Sequence, residues 1–366
     1  MVSKALVTGV YQKKVEELAR LPDIELRVVV PPYWQEERVG RLPFTPLFTD
    51  GYALTVEHMR FNGHHHVHYY PGLRRRLAEF KPDLVHVDEE PYNVVTAHAV
   101  WQAQRAGAKS IFFSWQNLYR RYPLPFRLIE RYVYRTAAAG IVGNRDAGRI
   151  LRRKGFSGPL TVIPQFGIDP ELYRPQPGRK RAVSGPVVGY VGRIVPEKGI
   201  DTLIQAAARI PTRPTLRIIG GGDYRLPLEL LAERLGVRDR VRFQPSVPAE
   251  QVPDLLNELD VLVLPSLTQP NWKEQFGRVL IEAMACGVPV IGSDSGEIPN
   301  VIGDAGLVFP EGDAGALALA IRQVLDDATL ASTLGRLGRE RVLELYTQTR
   351  VAQQTYDLYR RVLESD

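Results

Sequence analysis

The sequence predicts an α/β fold made of two doubly wound parallel sheets, each covered by helices on both faces. Short β-branched runs alternate with longer helical patterns along the whole chain, as parallel sheets require. The 366 residues exceed the size that one hydrophobic core usually serves, so two domains are expected. We expect the domains to face each other across a cleft, with ligands beyond the carboxyl ends of the strands.

The first domain is predicted over residues 1–168. Its predicted strands are "KALVTG", "LRVVVP", "HHVHYY", "LVHVD", "SIFFSW", "AGIVGN" and "LTVIPQ". Helices are predicted at Lys13–Arg20, Leu73–Phe80, Tyr92–Ala106, Pro125–Ala138 and Asp146–Lys154. The sequence "EFKPDLVHV" illustrates the pattern, because proline ends a helix before a buried strand begins.

The second domain is predicted over residues 169–349, and its strands and helices follow the linker-like stretch "RPQPGRKRAVSGP". Its predicted strands are "VVGYVG", "TLRIIGGG", "RVRFQPS", "VLVLPS", "PVIGS" and "GLVF". Helices are predicted at Gly199–Ala208, Leu226–Leu235, Val252–Leu259, Arg278–Ala285, Ala314–Asp326 and Leu330–Leu345. A final helix within residues 350–366 is expected to pack back on the first domain.

Composition restricts the class of protein. A single cysteine, Cys286, excludes an internal disulfide, and its apolar surroundings indicate a core residue. The apolar run near the N-terminus is too short for a signal peptide, and no run reaches the length that spans a bilayer. A cytoplasmic location is therefore expected. Between Trp101 and Arg181 there are 16 Lys/Arg against 4 Asp/Glu, which indicates an anionic partner or a solvated basic face.

The segment "EQFGRVLIEAMACGVPVIGS" contains two carboxylates eight positions apart, Glu274 and Glu282. Gly277 permits a tight turn between them, and the helix that follows presents N–H groups suited to a diphosphate. Glu274 precedes the helix and is placed to reach sugar hydroxyls, whereas Glu282 lies on it and suits a ribose diol. Two solvated surface carboxylates remain an equal alternative from spacing alone.

Three further features follow predicted strands of the second half. Arg193 and Lys198 occupy one short loop, where they suit a diphosphate or are simply solvated cations. Gly221 lies in a run of three glycines that permits either close approach of a ligand or a plain turn. Because these features share one rim with Glu274, together they favour a ligand site.

These motifs resemble the second domain of the family 4 glycosyltransferases, retaining enzymes of the GT-B fold with two Rossmann-like domains. The resemblance is dense over Val187–Phe309, in "VGRIVPEKG", "RIIGGGD", "RFQPSVP" and the Glu274 segment. It implies that Arg193 and Lys198 neutralise the donor diphosphate and that Glu274 positions the transferred sugar. It implies further donor contacts, which are Glu282, Phe276, Gly277, Arg278, Gly221 and Val247. No cofactor and no metal is implied.

The first half departs from the pattern of that family. Its first loop reads "TGVYQ" rather than a glycine-rich loop, so Gly9 is the expected donor contact there. Gln116, in "SWQN", stands where the family often has a histidine. A neutral amide can bind a sugar hydroxyl but does not titrate near neutral pH. The alternative is that Gln116 is a buried amide without a function in the site.

Acceptor-side candidates are Glu89, Glu90, Asn117 and His66. The acidic run that begins at Asp88 either binds acceptor hydroxyls or caps the next helix. The histidines around His66 are expected to alternate on a strand, where they line the acceptor side or are ordinary strand residues. A metal site is the least favoured interpretation, since no carboxylate or cysteine adjoins them.

The segment "YRRYPLPFRLIERYVYR" interleaves arginine with aromatic and apolar side chains. The pattern is typical of binding to anionic lipid, of single-stranded nucleic acid, or of an ordinary helix on a sheet. Without an RNA-binding signature we expect no nucleic-acid partner, and an anionic membrane surface or a phosphorylated acceptor is favoured.

The sequence therefore predicts a metal-independent retaining glycosyltransferase that uses a UDP- or GDP-type sugar donor. The expected acceptor is a glycan, a lipid-linked saccharide or a small molecule. Two alternatives remain, a sugar-phosphate synthase on the same fold and a non-catalytic subunit that binds nucleotide sugars. A dehydrogenase is disfavoured because no strand is followed by G-x-G-x-x-G.

Overall fold

The computed structural model describes residues 1–36, 40–176, 178 and 185–364. The chain divides into two units, one of Met1–Gly167 with Gln348–Asp366 and one of Ile168–Thr347. The central part of the predicted linker lies outside the described residues.

The strands are short, and most are buried on both faces, as parallel strands between helices must be. Their bounds are β1 Arg27–Val30, β2 Tyr33–Glu36, β3 Gly40–Pro43, β4 Ala53–Val56, β5 Leu84–Val87, β6 Lys109–Ser114, β7 Ala139–Val142, β8 Leu160–Val162, β9 Val187–Val191, β10 Thr215–Ile219, β11 Val241–Gln244, β12 Val261–Leu264, β13 Val290–Ser293 and β14 Leu307–Phe309.

Helices connect these strands in the expected alternation. Their bounds are α1 Lys13–Ala19, α2 Leu73–Phe80, α3 Val94–Arg105, α4 Leu124–Thr136, α5 Arg145–Arg153, α6 Ile200–Ala208, α7 Arg225–Arg234, α8 Val252–Leu256, α9 Arg278–Ala285, α10 Ile298–Ile302, α11 Ala314–Asp326, α12 Ala328–Leu345 and α13 Gln348–Glu364. Within the described parts of the chain, no helix is both long and apolar enough to cross a bilayer.

In the first unit, β5, β6, β7 and β8 form a parallel sheet in that order, and β1 pairs in parallel with β4. Val2 bridges both Val29 of β1 and Val87 of β5, so it joins the two sets of strands. The hairpin of β2 and β3 is antiparallel and separate. Helix α13 belongs to this unit, since Val351 and Leu358 share a core with Ile111 of β6.

Two predictions of strands in this unit were wrong. In "KALVTG", Ala5–Val7 forms a 3₁₀ turn, and the bridges to neighbouring strands are made earlier, by Val2. The "HHVHYY" segment is a turn, in which the N–H groups of Val67 and His68 both donate to the carbonyl of His64. The histidines therefore do not alternate on a strand. Strands β2, β3 and β4 were not predicted.

The second unit contains one parallel sheet in the order β11-β10-β9-β12-β13-β14. The order reverses between β9 and β12, and the carboxyl ends of those strands flank the crevice where doubly wound sheets bind ligands. All four residues of β12 are fully or almost fully buried, which fixes the loop that follows it. The short helix α10 was not predicted.

Candidate functional site

The loops after β9 and β12 pack directly on each other at this reversal point. Lys198 ends a 3₁₀ turn, and Gly199 then turns the chain into α6 with a φ of +63°. A Cβ at Gly199 would lie 2.0 Å from the carbonyl oxygen of Pro265, so only glycine permits the approach. The N–H of Leu267 donates to the carbonyl of Glu197 and ties the two loops together.

Lys198 and Glu274, 76 positions apart, form an ion pair at this edge. Lys198 Nζ lies 2.5 Å from Glu274 Oε2, and the two side chains are only 13% and 9% exposed. The hydroxyl of Ser266, a fully buried residue just after β12, donates to the same carboxylate oxygen at 2.8 Å. The Lys198 ammonium also lies 4.9 Å from the centroid of the Trp272 ring.

The start of α9 lies beside this ion pair. Gly277 caps the helix in the left-handed region with a φ of +79°, and an added Cβ would meet a Leu264 methyl at 2.7 Å. One turn into the helix, the carboxylate of Glu282 pairs with Arg278 at 3.0 Å, and its Oε1 lies 3.5 Å from the hydroxyl of Tyr173. Burial raises the pKa of Glu282, with Arg278 opposing the shift.

The other predicted residues of the second unit lie on neighbouring loops. Arg193 is half exposed and pairs with Glu197 at 3.9 Å rather than with Glu274. The carbonyl of Gly221 accepts from the N–H of Ile194, and a Cβ at Gly221 would lie 3.4 Å from Ser246 Oγ. These contacts bring the loops after β9, β10 and β11 together.

Two predicted contacts complete that rim. Val247 is partly exposed in the loop after β11, and the ring of Phe276 packs edge-on against Tyr346, with centroids 5.6 Å apart. The arrangement places two cations and a helix start together at the reversal point. It is suited to neutralising a diphosphate.

The carboxyl edge of the first unit is acidic and largely buried. Glu89 pairs with Lys4, and His68 Nε2 lies 3.8 Å from its other oxygen. Burial raises the pKa of Glu89, but Lys4 and His68 outweigh burial and lower the pKa to about 2. Asp88, also buried, accepts a hydrogen bond from the hydroxyl of Ser3.

Glu90 faces the other way and holds the loop that follows β6. It accepts hydrogen bonds from Ser114 Oγ at 2.6 Å and from the N–H of Trp115 at 2.7 Å. Burial raises the pKa of Glu90 to about 7, although these two donors oppose the shift. Gln116 is buried and donates from Nε2 to the hydroxyl of Tyr122, while its Oε1 has no hydrogen-bond partner among the described residues. Asn117 beside it is also buried.

The last two candidates of this unit are the exposed His66 and the buried Gly9. His66 is exposed in a turn, where its Nδ1 lies 3.1 Å from Asn93 Oδ1 at the start of α3. Gly9 packs against the chain at Thr45 and Leu47, with a Cβ position only 2.7 Å from Leu47 Cβ. Throughout the described residues, no three His, Cys, Asp or Glu side chains are grouped to hold a metal.

Reasoning from sequence missed Ser266 and Gly296. Ser266 was visible as the last residue of "VLVLPS", but nothing in the sequence joined it to Glu274. Gly296 has a φ of +58°, and a Cβ there would lie 2.0 Å from the carbonyl oxygen of Glu274. The N–H of Glu297 donates to that carbonyl, so the loop after β13 holds the backbone of Glu274.

Two family models match the chain. The model described as Glycosyl transferases group 1 matches residues 177–341, and that described as Glycosyl transferase 4-like domain matches residues 9–165. The chain is 32% identical over 263 residues to a GDP-mannose-dependent alpha-(1-6)-phosphatidylinositol monomannoside mannosyltransferase of Mycolicibacterium smegmatis, covering 66% of this chain and 68% of that protein. It is 29% identical to the alpha-maltose-1-phosphate synthase of the same organism, covering 80% and 77%.

Solved structures share the fold. The sucrose-phosphate synthase from Thermosynechococcus elongatus superposes with a TM-score of 0.70 at 25% identity, covering 98% of this chain and 94% of that one. HepE from Anabaena, solved in complex with UDP-glucose, gives a TM-score of 0.71 at 19% identity and covers 98% of each chain.

Proposed function

We propose that this chain, a member of the Glycosyl transferases group 1 family with the GT-B fold, transfers a sugar from a nucleoside diphosphate. The proposed reaction needs no metal and retains the configuration of the sugar. The chain is a glycosyltransferase; its donor, stereochemistry and acceptor are the subject of the proposal. The observation that carries it is the buried contact of Lys198 with Glu274 beside the start of α9.

The proposed chemistry uses these residues as an electrostatic site. The acceptor oxygen forms a bond to the anomeric carbon as the bond to the diphosphate oxygen breaks on the same face. The departing phosphate oxygen takes the acceptor proton, so no protein nucleophile is required. Lys198, Arg193 and the helix start stabilise the charge that develops on the diphosphate, which is the role that a metal plays in other transferases.

Glu274 and Glu282 would bind opposite ends of the donor. The carboxylate of Glu274 accepts hydrogen bonds from hydroxyls of the transferred sugar, whereas Glu282, with its raised pKa, binds the ribose diol. The backbone near Val247 is placed to receive the base. GDP-mannose and UDP-glucose are the donors to test first, because one similar protein is a GDP-mannose-dependent mannosyltransferase and one structural neighbour was solved in complex with UDP-glucose.

Calorimetry with GDP and UDP tests the donor site. Wild-type protein should bind at least one of them, and Lys198→Ala should weaken binding by about 10- to 100-fold, as loss of a charged contact does. Arg336→Ala, on the exposed face of α12, removes one positive charge and should leave affinity unchanged. Failure of the wild-type protein to bind any nucleoside diphosphate would end the proposal.

Transfer assays test the role of Glu274. Glu274→Ala should reduce the transfer rate far more than it reduces binding of the donor. Equal losses in both would contradict its assignment to the sugar. Analysis of the product then defines the acceptor. A phosphorylated sugar should be among the acceptors tested, because two of the similar proteins are named as sugar-phosphate synthases.

We also propose that the first unit docks on an anionic membrane through α4. Leu124, Leu128, Arg131 and Arg135 are spaced four, three and four residues apart on one outward face, and the two leucines are 59% and 55% exposed. Leucines can enter the headgroup boundary while arginines pair with lipid phosphates.

Co-sedimentation with vesicles tests this docking. The protein should sediment with phosphatidylglycerol vesicles at low salt, remain in solution with phosphatidylcholine alone, and dissociate at high salt. Leu124→Ser with Leu128→Ser should abolish sedimentation, whereas Leu319→Ser, an equally exposed leucine on α11, should not. Binding that is indifferent to lipid charge would refute the docking.

A further inference from the structure

The carboxylate of Glu274 contacts two polar side chains, Lys198 and Ser266. One of its oxygens, Oε2, contacts both Lys198 Nζ at 2.5 Å and Ser266 Oγ at 2.8 Å. Because Ser266 is fully buried and both charged side chains are nearly so, water screens this contact little. Lys198 is therefore already neutralised by a protein anion when no ligand is bound.

The backbone of Glu274 is held as firmly as its side chain. The N–H of Glu297 donates to the Glu274 carbonyl, and Gly296 packs against the same oxygen. The hydroxyl of Thr268, in the loop that carries Glu274, lies 3.0 Å from the hydroxyl of Ser295, in the loop after β13, so a hydrogen bond joins the two loops. The position of the carboxylate is thus built into the fold and does not depend on a bound ligand.

We propose that Glu274 competes with the product nucleotide for Lys198 and that this competition drives release of the nucleoside diphosphate. Ser266 positions the Glu274 carboxylate for the competition. The inference rests on the proposed function. A diphosphate and Glu274 are both anions, so a nucleotide that approaches Lys198 meets a like charge at short range. A nucleoside diphosphate bound without the sugar must therefore share Lys198 with Glu274.

The transferred sugar changes this balance. When the intact donor binds, sugar hydroxyls donate to Glu274 and offset the desolvation and repulsion of the carboxylate, so Lys198 is available to the diphosphate. Once the sugar leaves with the acceptor, those hydrogen bonds are lost and Glu274 again takes Lys198. The site therefore favours the sugar nucleotide over the nucleotide product without a moving lid.

Glu274→Gln separates charge competition from sugar binding. The substitution keeps the shape of the side chain and one acceptor oxygen, and it removes the charge. The affinity for a nucleoside diphosphate should rise by about tenfold or more, because the repulsion between like charges at a buried contact weakens binding by at least that factor. Affinity for the sugar nucleotide should not rise in parallel, so the preference for donor over product should shrink.

Ser266 is expected to act as a positioning residue. Ser266→Ala leaves the charge of Glu274 in place but frees the carboxylate, so kcat should fall while the donor KM changes less than about threefold. In the Glu274→Gln background, the same Ser266 substitution should have a much smaller effect, because both act through one contact. A purely structural role would instead give equal losses in both backgrounds.

Calorimetry of wild type, Glu274→Gln and Glu340→Gln, with GDP, UDP, GDP-mannose and UDP-glucose, tests the inference. Glu340 is an exposed residue of α12 whose substitution removes the same charge away from the site. Tighter nucleoside diphosphate binding by Glu274→Gln alone, with stronger product inhibition in turnover assays, supports the inference. Unchanged or weaker nucleoside diphosphate binding by Glu274→Gln overturns it while leaving the proposed function intact. Absence of binding to the wild-type protein overturns both.

Discussion

Replacing Glu90 by glutamine is expected to remove a pH dependence from the stability of the first unit. Burial raises the pKa of Glu90 to about 7 from an ordinary 4.5. The folded chain therefore keeps this proton at pH values where the unfolded chain has released it. Stability from Glu90 is fully present below pH 4.5 and is lost as the pH rises through about 7.

The size of the effect follows from the two pKa values. The folded carboxyl binds its proton about 300-fold more tightly than the unfolded one, so about 3 kcal/mol of stability is lost by pH 8. Glutamine cannot ionise, and its amide can still accept from the N–H of Trp115 and donate to Ser114 Oγ. The free energy of unfolding of the variant should therefore increase relative to that of the wild type as the pH rises.

Urea unfolding at pH 5, 6, 7 and 8 measures the difference, followed by fluorescence of Trp34, Trp101 and Trp115 in the first unit. Other groups titrate equally in both proteins, so the difference between the two unfolding free energies isolates Glu90. The low pKa of Glu89 affects stability only below pH 4.5, outside this window. Glu79→Gln, with a side chain 46% exposed, serves as the control. Parallel wild-type and Glu90→Gln curves from pH 5 to 8 would refute the reasoning.

Two further substitutions test the contacts that support the site and the first unit. Gly296→Ala should lower the unfolding temperature and the transfer rate more than Gly312→Ala. Both positions have a positive φ, which costs an alanine about 1–2 kcal/mol of strain. Only the Cβ at Gly296 would also collide, because it would lie 2.0 Å from the Glu274 carbonyl oxygen. Equal thermal shifts for the two variants would argue against that collision. Lys154→Met should cost about 3–5 kcal/mol in urea unfolding, because it removes the ammonium 2.7 Å from the buried carboxylate of Glu130 and leaves that charge with only hydroxyl donation from Tyr134 among the described residues. Adding Glu130→Gln should recover most of the loss, and no recovery would show that the ion pair is not the cause.

The sequence predicted the parallel strands other than the partly exposed β4, because most of these strands are buried on both faces and appear as apolar runs. All of β7 and β12 is buried, for example, and both segments were predicted as strands. The hairpin of β2 and β3 was missed because its residues are partly exposed and carry no continuous apolar pattern. The prediction of a strand at "HHVHYY" was wrong because residues with strand propensity form local turn hydrogen bonds there instead.

The candidate site divides in the same way between local and long-range information. Loop motifs directly after strands identify Lys198 and Glu274 separately, because parallel strands bring their carboxyl ends to one edge. Their contact joins positions 76 apart and depends on Gly199 and Gly296, whose missing side chains let three loops approach. In the first unit, the partner of Glu89 is Lys4, 85 positions away, on a segment expected to be a strand. Sequence spacing therefore indicates which charges gather at an edge, whereas their pairing decides whether a charge is available to a ligand. In the second unit Lys198 is already paired with Glu274, so its availability to a nucleotide depends on what else Glu274 binds.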